Sequence, residues 1–182
     1  MKLFLKSLKP ILVCCCAYFF FVGQTTTPST RFENKKDGTV VDNRTGLIWQ
    51  RCPAGLGSEN STTRKSTCGA DNGNVNGSSS IYNWGDALRY CKGALTRKPP
   101  VLPAGKSWRL PNIKELKTIV DRSQMNPAMD TNVLIIGTED YFWSSTTVVS
   151  NPSSAWTVSF FYGTSYGTSD KDFGYYVRCV SQ

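Results

Sequence analysis

The sequence has no histidine. That absence excludes Ser–His–Asp and Cys–His nucleophilic machinery and every histidine-based metal site. No C-x-x-C pair occurs either, so a zinc site finds no ligand set. Carboxylate chemistry has little to work with. Glu139 and Asp140 adjoin each other, but successive side chains on a strand point apart. The chain therefore reads as a non-enzyme with no cofactor. Long apolar runs are scarce as well. The run "ILVCCCAYFFFVG" (11–23) is short of the roughly 20 residues that a spanning helix needs. Internal repeats, heptads and collagen-like tracts are absent. Acid is in deficit, with 13 Asp and Glu against 21 Lys and Arg, for a formal charge of +8.

What is present begins with a leader. Lys2, Lys6 and Lys9 precede the apolar run, and the polar "QTTTPST" follows it. This is the pattern of a signal peptide over residues 1–24, with a polar leader at 25–30 and one domain over 31–182. Lipid attachment at Cys14, Cys15 or Cys16 is the weaker reading, because no small residue precedes Cys14. An uncleaved anchor is a third. Losing residues 1–24 removes three lysines and no acid, taking the charge from +8 to +5. Four cysteines then remain: Cys52, Cys68, Cys91 and Cys179. An even count behind an export signal points to two disulfides. Of the three pairings, Cys52–Cys68 with Cys91–Cys179 is adopted. The first staples a long Gly/Ser/Asn-rich loop (53–80), and the second joins a helix to the last strand.

Local patterning predicts an α+β domain. β-branched and aromatic residues at 39–41 and 47–49 flank "DNRTG", with Gly46 suited to positive φ, which predicts a hairpin. Trp84, Ala87, Leu88 and Cys91 form one helical stripe behind the cap Asn83, and Gly93 stops the helix. Asp86, Arg89 and Lys92 fall off that stripe. Asn112 and Glu115 have capping-box spacing for a second helix with inner residues Ile113, Leu116 and Val120. Trp108 and Leu110 are read as core anchors, and Arg109 between them as the partner of a carboxylate. Segments 141–147, 155–163 and 175–181 read as three antiparallel strands, joined by "SNPSS" and by "GTSYGTSDKDFG" as turns.

The motifs "DGTVVDNRTGLIWQRC", "WGDALRYC", "WRLPNIKELKTIVD", "NPAMDTNV", "YFWSST", "AWTVSF" and "YVRCV", in this order, resemble the bacterial family of extracellular domains typified by the C-terminal domain of the Legionella collagen-like adhesin. The resemblance spans residues 31–181. It implies a C-type lectin-like fold with two short helices, a small antiparallel sheet and long loops. It also implies the Cys91–Cys179 bridge and binding of sulfated polysaccharide at a surface. The calcium tripeptides of sugar-binding C-type lectins (E-P-N or Q-P-D, and W-N-D) do not occur. Asp121, Asn126 and Asp130 offer oxygen ligands, but read better as turn-forming caps, so no metal site is assigned. "RLP" also resembles a segment of formylglycine-generating enzymes. Without reactive cysteines to spare, it reads as shared architecture.

The candidate binding residues are basic. Between Asp86 and Arg122 lie nine Lys and Arg against three acids. Arg89, Lys92, Arg97, Lys98 and Lys106 lie near one helix end and the loop after it, a pattern that attracts polyanions. For an exported protein the partner is a sulfated or acidic polysaccharide rather than nucleic acid. The rival partner is an acidic envelope protein in a structural assembly. A second set is aromatic: Tyr162, Tyr166, Phe173, Tyr175 and Tyr176 surround the last hairpin, and Tyr166 between glycines is the best candidate for exposure and sugar stacking. Asn43, Asn60 and Asn76 begin N-x-S/T triplets, which carry no meaning in a bacterial protein.

Overall fold

The computed structural model describes residues 31–55, 80–95, 102–134 and 140–182. The signal-peptide segment, the polar leader, Cys68, Arg97, Lys98 and Glu139 lie outside these residues.

Among the described residues the domain has two antiparallel sheets and two short helices. The first sheet contains β1 (Phe32–Asn34), β2 (Thr39–Asp42), β3 (Leu47–Gln50) and β7 (Val180–Ser181), in the order β1-β2-β3-β7. The second contains β4 (Tyr141–Val148), β5 (Asn151–Ser159) and β6 (Thr164–Asp170), in that order. Helix α1 (Trp84–Cys91) and helix α2 (Ile113–Thr118) lie between them in sequence. Among the described residues no helix is long and apolar enough to cross a membrane.

The β2–β3 hairpin forms as the turn chemistry requires. Asp42 pairs with Leu47, the Gly46 amide donates to the Asp42 carbonyl at 2.8 Å, and Gly46 adopts φ 72°. The Asp42 side chain is fully buried. It receives Nε and Nη2 of Arg31 at 3.0 and 2.9 Å and the Arg44 amide at 3.1 Å. β1, which the sequence reading left out, is thus tied to the hairpin by a charge pair as well as by its ladder.

Helix α1 starts at Asn83, whose side chain accepts from the Asp86 amide, and runs to the Gly93 stop at φ 71°. Ala87, Tyr90 and Cys91 are its buried residues, with Trp84 and Leu88 half-buried against the same cluster. Helix α2 carries the full capping box between Asn112 and Glu115. Leu116 is buried on it, and Ile119, just past its end, carries more of the packing than Ile113 or Val120. Trp108 and Leu110 are buried as anchors.

The last third departs from the sequence reading. The third strand of the aromatic sheet is β6, inside the segment read as a turn. β6 is an edge strand whose Thr and Ser residues need burial on one side only, so it lacks the apolar alternation that marks a strand. Gly167 fits there because a Cβ would sit 3.0 Å from the Trp156 ring. Segment 175–181 instead runs between the two sheets. It bridges Tyr82 and Phe142 through Tyr175 and Tyr176, and ends as β7 beside β3. Val177, Cys179 and Val180 are buried there among several elements rather than by one sheet face, while Tyr175 and Tyr176 are half-buried.

The core has two parts. One gathers Val40, Trp49, Leu116, Ile119, Phe142 and Phe160. The other gathers Tyr90, Cys91, Trp108, Trp143, Val177 and Cys179. Cys91 and Cys179 are bonded within the second, across a sequence separation of 88. Cys52 is buried at the end of β3, and its expected partner lies outside the described residues.

Closing that loop stabilises by about 4.5 kcal/mol in the chain-entropy model. Replacing Cys91 and Cys179 with alanine should lower the unfolding free energy by a few kcal/mol, read as the denaturant midpoint against the oxidised parent. Asp42 supplies a pH signature. Burial raises its pKa, but hydrogen bonds from Arg31, Thr45 and the Arg44 amide outweigh this, and the net shift is downward. A depressed carboxylate stabilises fully above its unfolded pKa near 3.9 and loses that contribution as pH falls through the lower folded value. Below pH 4 the melting temperature should therefore fall more steeply with decreasing pH in the parent than in Asp42→Asn.

Candidate functional site

The final turn of α1 presents Arg89 and Lys92 to solvent. Arg89 is paired with Asp86 one turn back, an exposed contact of small energy that leaves part of its charge neutralised. Lys106 is exposed in the turn before Trp108. That turn is held by the Trp108 indole N–H, which donates to the Pro103 carbonyl at 2.8 Å. Trp108 packs in the same cluster as Tyr90 and Cys91, with Leu88, Leu95 and Leu102 against it. One core cluster thus anchors both described flanks of the basic segment. Arg97 and Lys98, between them, lie outside the described residues.

Arg109 does not join this surface. Its guanidinium meets Glu115 in a two-pronged pair at 2.7 and 2.6 Å. The Arg109 hydrogen bond holds the Glu115 carboxyl below its ordinary range, burial opposes this, and the Asn112 amide adds to the lowering. Arg109 therefore braces the start of α2.

Asp121, Asn126 and Asp130 serve turns. Asp121 accepts from the amide and hydroxyl of Ser123 and from Gln124, and Asp130 accepts from the Asn132 amide. Asn126, at φ 49°, precedes the cis Pro127. Among the described residues no group of three or more Asp, Glu, Cys or His is placed to hold a metal.

The aromatic residues do meet, with one addition. Tyr166 lies on β6, half-buried, because its ring packs on Tyr141 at 5.3 Å. Its reading as the loop tyrosine best placed for exposure is corrected on that ground. Tyr141 in turn packs on Tyr175 at 5.7 Å, and Tyr175 sits edge-on to Trp143 at 4.8 Å. Local desolvation, then the neighbouring Tyr166 and Asp140, push the Tyr141 phenol above its usual range. Tyr141 opens the strand "YFWSSTTV", and nothing in the local pattern sets its ring apart. Tyr176 packs on Phe142, whereas Tyr162 and Phe173 are 53% and 64% exposed.

An open cleft of about 470 Å³ lies at the β5–β6 turn. Arg122, Gln124, Tyr162, Gly163, Thr164 and Ser165 line it. Sequence reasoning named Tyr162 but missed Arg122 as its neighbour, since 40 residues separate them. The turn is fixed from below. The Ala128 amide donates to the Phe160 carbonyl and the Asn126 amide to that of Phe161, at 2.6 and 3.1 Å. Asp140 accepts from Ser159 and from the Phe161 amide, and the Ser159 hydroxyl accepts from the Tyr162 amide.

A helix linked by sulfur to the terminal segment, with two antiparallel sheets around it, defines a disulfide-closed α+β domain. The family model for the Lcl C-terminal domain matches residues 38–181, and the chain belongs to that family. The match takes in both helices and every strand but β1. Membership makes this an adhesin-like domain. No curated protein and no solved structure matches the chain.

Gly163 controls the cleft's geometry. It holds φ 68°, and a Cβ there would lie 3.1 Å from Ala128 and 3.2 Å from Val120. Gly163→Ala should cost about 2 kcal/mol, measured as a lowered unfolding free energy.

Proposed function

We propose that the domain is an exported, non-enzymatic adhesin module that recognises sulfated or acidic glycans through the basic region formed by Arg89, Lys92, Arg97, Lys98 and Lys106, with aromatic contacts near Tyr166. The observation that carries the reading is the exposure of Arg89, Lys92 and Lys106 on two flanks of one core cluster, with Asp86 as the partner of Arg89 alone. Cations spread over a fixed surface bind a polyanion by many weak contacts and by release of its counterions. The adhesin-like family supports an extracellular ligand, and the Cys91–Cys179 bond suits an oxidising compartment. A C-type lectin-like arrangement and a Cys52–Cys68 bridge belong to the same reading, as does cleavage of residues 1–24.

The oxidised protein should be retained on heparin resin at low salt and elute at moderate salt. Alanine at Arg97, Lys98 and Lys106 together should advance that elution without changing the melting temperature. Flow-through of the parent at low salt would remove the glycan reading. Unchanged elution of the triple variant would remove these residues from the site.

A further inference from the structure

The cleft at the β5–β6 turn is separate from the basic segment: it sits where Gly163 packs on Ala128 and Val120, whereas the segment flanks the Cys91 cluster. We infer that this cleft is a subsite for one acidic sugar residue, with Arg122 holding its carboxylate or sulfate and the Tyr162 ring lying against its sugar face. The ligand class rests on the glycan reading above; the place and the roles come from the cleft.

Of the cleft's polar side chains, Gln124 is engaged with Asp121 and the others have no internal use. The Arg122 guanidinium and the hydroxyls of Tyr162, Thr164 and Ser165 make no hydrogen bond or ion pair with the rest of the described residues. The nearest acid in sequence, Asp121, is engaged by Ser123 and Gln124 instead. A guanidinium left unpaired beside hydroxyls is suited to a planar or tetrahedral oxyanion, which it meets with two parallel N–H donors.

The aromatic wall is rigid as well as exposed. Tyr162 is 53% exposed, yet its backbone amide is bonded to Ser159 and its neighbour Phe161 is bonded to both Asp140 and Asn126. The Phe161 ring stands edge-on to it at 4.6 Å. An aromatic held in this way loses little freedom when a ligand stacks on it. The cleft, of about 470 Å³, is open to solvent and would cover one face of a sugar residue rather than enclose it. A lining of guanidinium, amide and hydroxyl groups suits a hydroxylated anion.

The test uses the oxidised full chain, a heparin-derived tetrasaccharide and cellotetraose as the neutral probe, with affinity measured by calorimetry. Arg122→Gln and Tyr162→Ala should each weaken tetrasaccharide binding about tenfold or more. Tyr162→Phe, which keeps the ring, should stay close to the parent, and cellotetraose should bind at least about tenfold more weakly than the tetrasaccharide. Melting temperatures should match the parent, since both side chains are exposed. Parent-like binding in Arg122→Gln and Tyr162→Ala, with loss confined to the Arg97/Lys98/Lys106 variant, overturns the subsite and leaves the glycan reading standing. Failure of the parent to bind either the tetrasaccharide or heparin resin overturns both.

Discussion

Residues 175–181 form the constraint on which the rest of the architecture depends. Tyr175 exchanges backbone hydrogen bonds with Tyr82 just before α1, and Tyr176 bonds to Tyr141 and Trp143 of β4. The Val177 carbonyl takes the Ala54 amide. Arg178, fully buried, donates to the carbonyls of Gln50 and Arg51 where β3 ends and lies 5.7 Å from the Phe142 ring. Cys179 is bonded to α1, and Val180 exchanges hydrogen bonds with Arg109 ahead of α2. Seven consecutive residues thus touch both sheets, α1 and the segment that leads into α2. Nearly all these partners are distant in sequence, so the order of the domain is set by non-local pairing. The buried guanidinium is tolerated because carbonyl oxygens replace its water.

The legibility of the sequence followed from how local each signal was. The β2–β3 hairpin, the Asn83 cap, the Gly93 stop and the Asn112–Glu115 box are decided within five or six residues, and each is found as read. Arg109 was placed correctly because it stands between two anchors, Trp108 and Leu110. β6 was missed because an edge strand of Thr, Ser and Gly carries no apolar alternation. Segment 175–181 was misplaced for the opposite reason: an apolar run says that it is buried, not which sheet buries it. Tyr166 illustrates how one error produces another. Read as a loop residue it was expected in solvent, but on β6 it packs against Tyr141.

The candidate site divides along the same line. Lysines and arginines are visible as a composition change, so the basic segment could be read directly. The cleft could not, because Arg122 follows α2 and Tyr162 follows β5, and it takes the hydrogen bonds from Asn126 and Ala128 to the β5–β6 turn, with the packing of Gly163 on Val120, to bring their neighbourhoods together. Charge sets a long-range attraction that tolerates many geometries. On the reading proposed above, a cleft walled by a braced ring and an unpaired guanidinium would select among the ligands that this attraction gathers. The two surfaces are thus suited to different stages of one encounter, capture and discrimination.

The Cys91–Cys179 bond also determines how the domain would respond to being pulled. Tension applied near Arg31 and near Gln182 runs along the chain to Cys91, crosses the sulfurs and leaves through the final residues. Everything from Lys92 to Arg178 is a covalent side loop off that path, and its backbone is not stretched. Lys92, Lys106, Arg122, Tyr162 and Tyr166 all lie inside that loop. Tension between those two ends would thus peel β1 and the β2–β3 hairpin while the backbone of that loop stays off the load path; Arg89, ahead of Cys91 on α1, lies on it.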